Sequence, residues 1–165
     1  MAGSTFTVDA SPLAALGVRL AGAGPVIERE FQNSMVRVTA QVQHDAQALV
    51  VVDQGHLRRS ITARATPFLG TVGTNLIYAR TVEQGWPPHY RFIPPGALLN
   101  WMQRKGIRPG PHQTIQQVEY RIRRAIWARG LKARPYLRPA LERNRAGIER
   151  EFAAAMQRVV ARVLA

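Results

Sequence analysis

The chain has 165 residues, 46% of them hydrophobic, which suits one compact domain with a real core. It holds no cysteine, so disulfides and thiolate metal sites are excluded, and its apolar runs, such as Leu49–Val52, are far short of the roughly 20 residues of a membrane span. The formal net charge is +13, and it is unevenly spread: residues 1–50 carry three Arg against four carboxylates, so the remainder carries +14. Nine basic residues lie between Arg121 and Arg145 with only Glu142 opposing them. Such a stretch attracts polyanions, whether nucleic acid, an acidic membrane surface or an acidic protein, or else it is a solvated face.

Residues 1–23 are small and polar without a clean period, and a loose N-terminal arm or a short strand is expected there. They lack a basic start followed by an apolar stretch, so no signal peptide is predicted. From Pro25 the residues Ile27, Phe31, Met35, Val38, Val42 and Leu49 recur at helical spacing, which predicts a helix of about 25 residues. Pro25 suits its first turn, and Gly55 falls just past its end.

Ser60–Thr66 is rich in β-branched residues, Pro67–Gly70 offers a turn, and Thr71–Thr74 follows, so a β-hairpin is predicted. Gly73 suggests a bulge or a close backbone approach. Tyr78, Val82 and Glu83 fit one helical turn. The segment Trp86–Pro95 contains four prolines and should be extended. Ala97–Lys105 reads as a short helix, and Arg108–Pro111 as a turn. Thr114 and Gln117 have the spacing of a capping box, opening a helix through Ile115, Val118, Ile122 and Ile126 that Gly130 can end. Lys132–Pro139 should again be extended. Leu141, Ile148, Phe152, Met156, Val159 and Val163 mark a long last helix. The expected architecture is α+β: long N-terminal and C-terminal helices packed on a small antiparallel sheet, with two short inserted helices, in one domain.

The chemistry of catalysis is hard to find in this chain. None of His44, His56, His89 and His112 pairs at metal-binding spacing, no nucleophile elbow or phosphate loop occurs, and the carboxylates are few and scattered. No catalytic residue, metal or cofactor is therefore expected. The rings Trp86, Tyr90, Phe92, Trp101, Tyr120, Trp127 and Tyr136 stand among arginines, a mixture that single-strand platforms use and that cores and interfaces also use.

Three blocks lie in order along the chain: Asp53-Gln-Gly-His-Leu-Arg-Arg-Ser-Ile61; Val72-Gly-Thr-Asn-Leu-Ile-Tyr-Ala79 running on to Val82-Glu-Gln-Gly85; and Lys132-Ala-Arg-Pro-Tyr-Leu-Arg-Pro-Ala-Leu141. Together they resemble the tail-completion (neck, minor tail) proteins of long-tailed bacteriophages and prophages, relatives of the lambda minor tail protein Z. The resemblance runs from about residue 25 to the end. It departs at Val52, where the common form has Pro, and over Trp86–Gly110, which is longer than in the shortest relatives.

The resemblance implies a non-enzymatic virion protein at the head–tail junction, assembled in the host cytoplasm. It implies a homo-oligomeric ring, six copies being the expected number, whose partners are other neck and tail proteins: a tail terminator, a head-closure protein or the tail tube. Packaged DNA is a further candidate contact, and no membrane is expected. Arg58, Arg59, Tyr78, Glu83, Arg134, Tyr136 and Arg138 are the candidate interface residues. Asp53, Gly55, Gly73, Gly85, Pro135 and Pro139 are the candidate turn residues: Asp53 can accept from backbone N–H groups while Gly55 takes positive φ. A tail terminator capping the tube is the nearest alternative. A nucleic-acid-binding protein without base readout is the alternative of another class.

Overall fold

A computed structural model describes residues 17, 19 and 21–164. It is α+β, with six helices among the described residues and one two-stranded antiparallel sheet. In chain order these are α1 (Gly24–Leu49), α2 (His56–Ser60), β1 (Thr62–Ala65), β2 (Gly70–Gly73), α3 (Ala79–Gln84), α4 (Leu99–Arg104), α5 (Ile115–Arg129) and α6 (Leu137–Leu164). They fall into two compact units. One runs to Thr74 and resumes at Tyr136; the other is Asn75–Pro135. Of the expected arm, Gly17, Arg19 and Ala21 are helical and Ala23 is buried, while the rest lies outside the described residues.

The first unit is built on α1. Pro25 sits in its first turn, as its fixed φ and missing donor favour. The hairpin lies on α1, and its backbone is held by side-chain amides: Gln43 and Gln47 donate to the Ile61 carbonyl at 2.8 and 3.1 Å, and Gln32 donates to that of Ala65 at 3.2 Å. Thr62 to Ala65 pair with Gly73 to Gly70 in unbroken register, so no bulge occurs at Gly73. A Cβ at Gly73 would meet nothing within 4 Å. The close approach falls instead at Gly70, where a Cβ would lie 2.5 Å from Thr39 Cγ2 and 2.6 Å from Met35 Sδ. Ser60 also departs from expectation. It ends the one-turn helix α2 rather than beginning the strand, and its hydroxyl pairs with that of Thr74 at 2.6 Å.

The last helix starts at Leu137, four residues earlier than the apolar period implied. Pro139 therefore lies inside the first turn rather than in an extended entry. A first-turn N–H has no helical partner, so a proline there removes nothing.

Helix α6 runs antiparallel to α1, joined by Asn144 to Asp45 at one end and by Arg158 and Arg162 to Glu30 at the other. The fully buried residues of α1 are Glu30, Ser34, Thr39, Val42 and Ala46: Val42 lies on the expected apolar face, the others flank it on both sides, and the rest of that face is partly buried. Phe31, on that expected face, packs its ring 5.9 Å from Phe68 and 5.5 Å from Phe152. On α6 the buried residues are Ala140, Ala155 and Val159. Leu141 and Met156, expected in the stripe, are about half exposed.

Between these helices lies an ionic cluster. Ser34 donates to Glu151 at 2.8 Å, Arg37 pairs with Glu151, and Arg158 bridges Glu151 and Glu30 at 3.0 Å each. The Arg37 guanidinium, then the Ser34 hydroxyl and Arg158, hold the Glu151 carboxyl at about 2 against an ordinary 4.5. Arg158 likewise lowers the Glu30 carboxyl. Folding thus favours the ionised form of Glu151. Its contribution to stability is complete above about pH 4.5 and is lost as the pH falls toward about 2. The thermal midpoint of the native chain should fall more steeply over that acid range than that of Glu151→Gln; parallel curves would exclude this origin.

The second unit holds α3, α4 and α5. Thr114 and Gln117 form the expected capping box, and Gly130, at φ +72°, ends α5. Met102 on α4 is fully buried. Two charged residues of α5 are buried as well, Glu119 and Arg123. Glu119 accepts from the N–H groups of Gly96 and Leu98 at 3.1 Å each, and Arg123 donates to the Ile93 carbonyl at 3.0 Å. Together they hold the segment before α4 against α5.

Candidate functional site

In the second unit the proline-rich segment meets the chain that follows α5. Trp86 and Leu131 exchange both backbone hydrogen bonds, at 2.9 and 2.8 Å, forming a single antiparallel rung. Two glycines permit this approach. A Cβ at Gly85, φ +82°, would lie 2.7 Å from the Leu131 oxygen; one at Gly130 would lie 2.2 Å from that of Trp86. His89 also has positive φ, 60°, uncommon for a residue with a side chain. Its N–H donates to the Trp127 carbonyl at 2.8 Å, and its ring stands edge-on to the Trp127 indole at 4.3 Å. Gly130→Ala is expected to cost at least about 2 kcal/mol, since it combines a left-handed φ with a backbone collision. Chemical denaturation measures this, and a loss under about 0.5 kcal/mol would mean that the rung is dispensable.

Around the rung lies an open cleft of about 920 Å³. Its cations are Arg80, Arg91, Arg129 and Lys132; its apolar walls include Trp86, Pro87, Pro88, Tyr90 and Leu131; no carboxylate lines it. Arg80 is oriented by Gln84 Oε1 at 3.0 Å, and Arg91 lies 5.6 Å from the centre of the Tyr90 ring. In these contacts each guanidinium meets an uncharged neighbour. The Trp86 indole N–H is buried with no acceptor among the described residues, a state that costs about 1–3 kcal/mol. Residues 75–135 carry eleven Arg and Lys against Glu83 and Glu119, a net +9, and Glu119 is buried. Nearby, Phe92 lies 6.3 Å from Tyr120 and 6.4 Å from Trp127, with the Arg123 guanidinium against the Phe92 and Tyr120 rings.

The structure divides the candidate interface residues. Arg58 and Arg59 are exposed on α2, beside exposed Asp53 and the left-handed Gly55, which caps α2 rather than ending α1. Tyr78 is half exposed at the start of α3, whereas Glu83 is partly buried within it. Arg134 is exposed, and its backbone N–H donates to the Val82 carbonyl at 2.8 Å. Arg138 is exposed and pairs with Glu142 at 2.8 Å. Tyr136 is fully buried, which corrects its place among surface residues: its ring is part of the core. Pro135 is exposed, and Pro139 is partly buried in α6.

The second and third blocks therefore touch, through Val82 and Arg134 and through the close approach of Gly85 to the Ala133 backbone. The first and second blocks meet at Ser60 and Thr74. Spacing could not reveal the cleft. Its four cations span more than fifty positions, and only the Trp86–Leu131 rung gathers them.

Among the described residues no group of three or more His, Cys, Asp or Glu could hold a metal ion, and no helix is long and apolar enough to cross a membrane. No protein-family model, curated protein or solved structure matches the chain.

Proposed function

We propose that the chain is a virion structural protein of a long-tailed phage, acting at the head–tail junction as a tail-completion or neck component. It assembles as a homo-oligomeric ring of six copies whose two faces join different assemblies. The observation that carries this reading is the order and spacing of the three blocks, which fall at joints of the fold: Ser60 against Thr74, and Val82 against Arg134. Surface character supports it. Ile77 is 96% exposed, and Phe68 and Leu69 at the hairpin turn are about two-thirds exposed. Met156, Val160 and Leu164 form an exposed apolar line at four-residue steps on α6. Scattered apolar side chains are ordinary on any protein, but such groupings suit a chain that buries more surface on assembly. Rotation that closes converts one such heterologous contact into a ring. A terminator capping the tail tube uses the same logic and is the nearest alternative.

The net +9 of residues 75–135 favours a second reading, DNA binding without base readout. Light scattering and negative-stain microscopy of the purified protein, with and without purified tails, test the proposal. Rings, or tails bearing an added terminal density, are expected. A monomer that ignores tails but binds duplex DNA, with affinity falling steeply in salt, would replace this reading with the second.

A further inference from the structure

We propose that the cleft beside the Trp86–Leu131 rung is a docking site for an acidic protein segment, one that presents carboxylates next to an apolar side chain. The inference rests on the cleft itself and does not need the ring reading. Four cations face one concavity without a counter-carboxylate. Low-dielectric walls around like charges concentrate their field, so the cleft selects anions. The walls are aromatic and prolyl, and Trp, Tyr and Arg together are the residues that dominate protein–protein binding energy. The site is also preorganised. Positive φ at Gly85, His89 and Gly130 and the paired rung fix both sides, so little ordering remains to oppose binding.

Nucleic acid fits less well. The cleft has the size of a pocket for a short segment, and a duplex is too wide to enter it. A single strand would need ring faces on which successive bases stack. Here Trp86 and Tyr90 meet edge-to-face at 76°, so they share no stacking axis.

The test uses the whole chain and three fluorescein-labelled probes: a peptide of about ten residues alternating Glu and Leu, the same peptide with Gln for Glu, and an oligothymidylate of similar length. Binding is read by anisotropy at about 0.1 M salt, where screening limits long-range attraction. The acidic peptide should bind, and the Gln peptide should not. The pair Arg80→Gln with Lys132→Gln should weaken binding about tenfold or more, as loss of contacting charges does. The pair Arg143→Gln with Arg145→Gln removes the same charge from exposed positions on α6 and should change it less than about twofold.

Circular dichroism checks both variants. Should the cleft pair fail to fold, Lys132→Gln alone must weaken binding by at least about threefold. Equal weakening by the two pairs, no binding of the acidic peptide, or tighter binding of the oligothymidylate lost with the cleft pair would each overturn the proposal.

Discussion

Replacing Glu119 with alanine should destabilise the protein by about 3–5 kcal/mol, the usual cost of removing one partner of a buried pair. Glu119 is 2% exposed and Arg123 is 6% exposed. The carboxylate has three duties: it accepts from Gly96 N–H, accepts from Leu98 N–H, and lies 3.7 Å from Arg123 Nε. Without it, two backbone donors lose their acceptor and a buried cation loses its counter-charge at once. Arg123 would retain only the Ile93 carbonyl and the faces of Phe92 and Tyr120.

Glu119→Gln keeps one oxygen but turns an NH₂ toward a donor, so a smaller loss of about 1–3 kcal/mol is expected. The double change Glu119→Leu with Arg123→Met removes both charges at similar volume and should cost less than Glu119→Ala alone. Urea unfolding measures all three. If the double variant were less stable than the single, the pair would be net stabilising and its desolvation cost small.

Glu119 also marks a boundary of what the sequence discloses. The ends of α5 are legible because Thr114, Gln117 and Gly130 act locally: a cap, its reciprocal partner and a left-handed stop. The hairpin is legible for a similar reason, with β-branched runs flanking a turn. A period-based reading, however, sends every charge to solvent. It therefore misplaces Glu30, Glu119 and Arg123, whose burial depends on partners from other segments.

Helix α2 is a single turn, too short to establish any period. The start of α6 was obscured by Pro139, a residue that interrupts a helix interior but is tolerated in a first turn. The candidate interface residues follow from position in the blocks alone. Sequence position does not distinguish the exposed Arg134 from the buried Tyr136 two residues on.

That contrast yields the other large effect. Tyr136→Ala should cost about 3–5 kcal/mol, as truncation of a buried aromatic ring does. The ring is fully buried immediately before α6, and its carbonyl accepts the Ala140 N–H at 3.3 Å. Tyr136→Phe keeps the ring and should cost no more than about 1.5 kcal/mol, which separates packing from the hydroxyl. Arg134 and Arg138 flank the same residue but are exposed, and the ion pair of Arg138 with Glu142 is solvent-facing. Exposed pairs of that kind contribute little to folding.

The double change Arg134→Ala with Arg138→Ala should therefore leave helix content and the thermal midpoint unchanged within error. On the proposed head–tail role, with the two guanidiniums reaching a neighbouring subunit or an acidic partner ring, phage carrying that change will accumulate full heads and separate tails that fail to join. Arg forks suit such contacts because they are planar and always charged. Normal infectious titre would remove this segment from the assembly surface. A folding defect as large as that of Tyr136→Ala would show that the arginines, like the ring between them, serve the core.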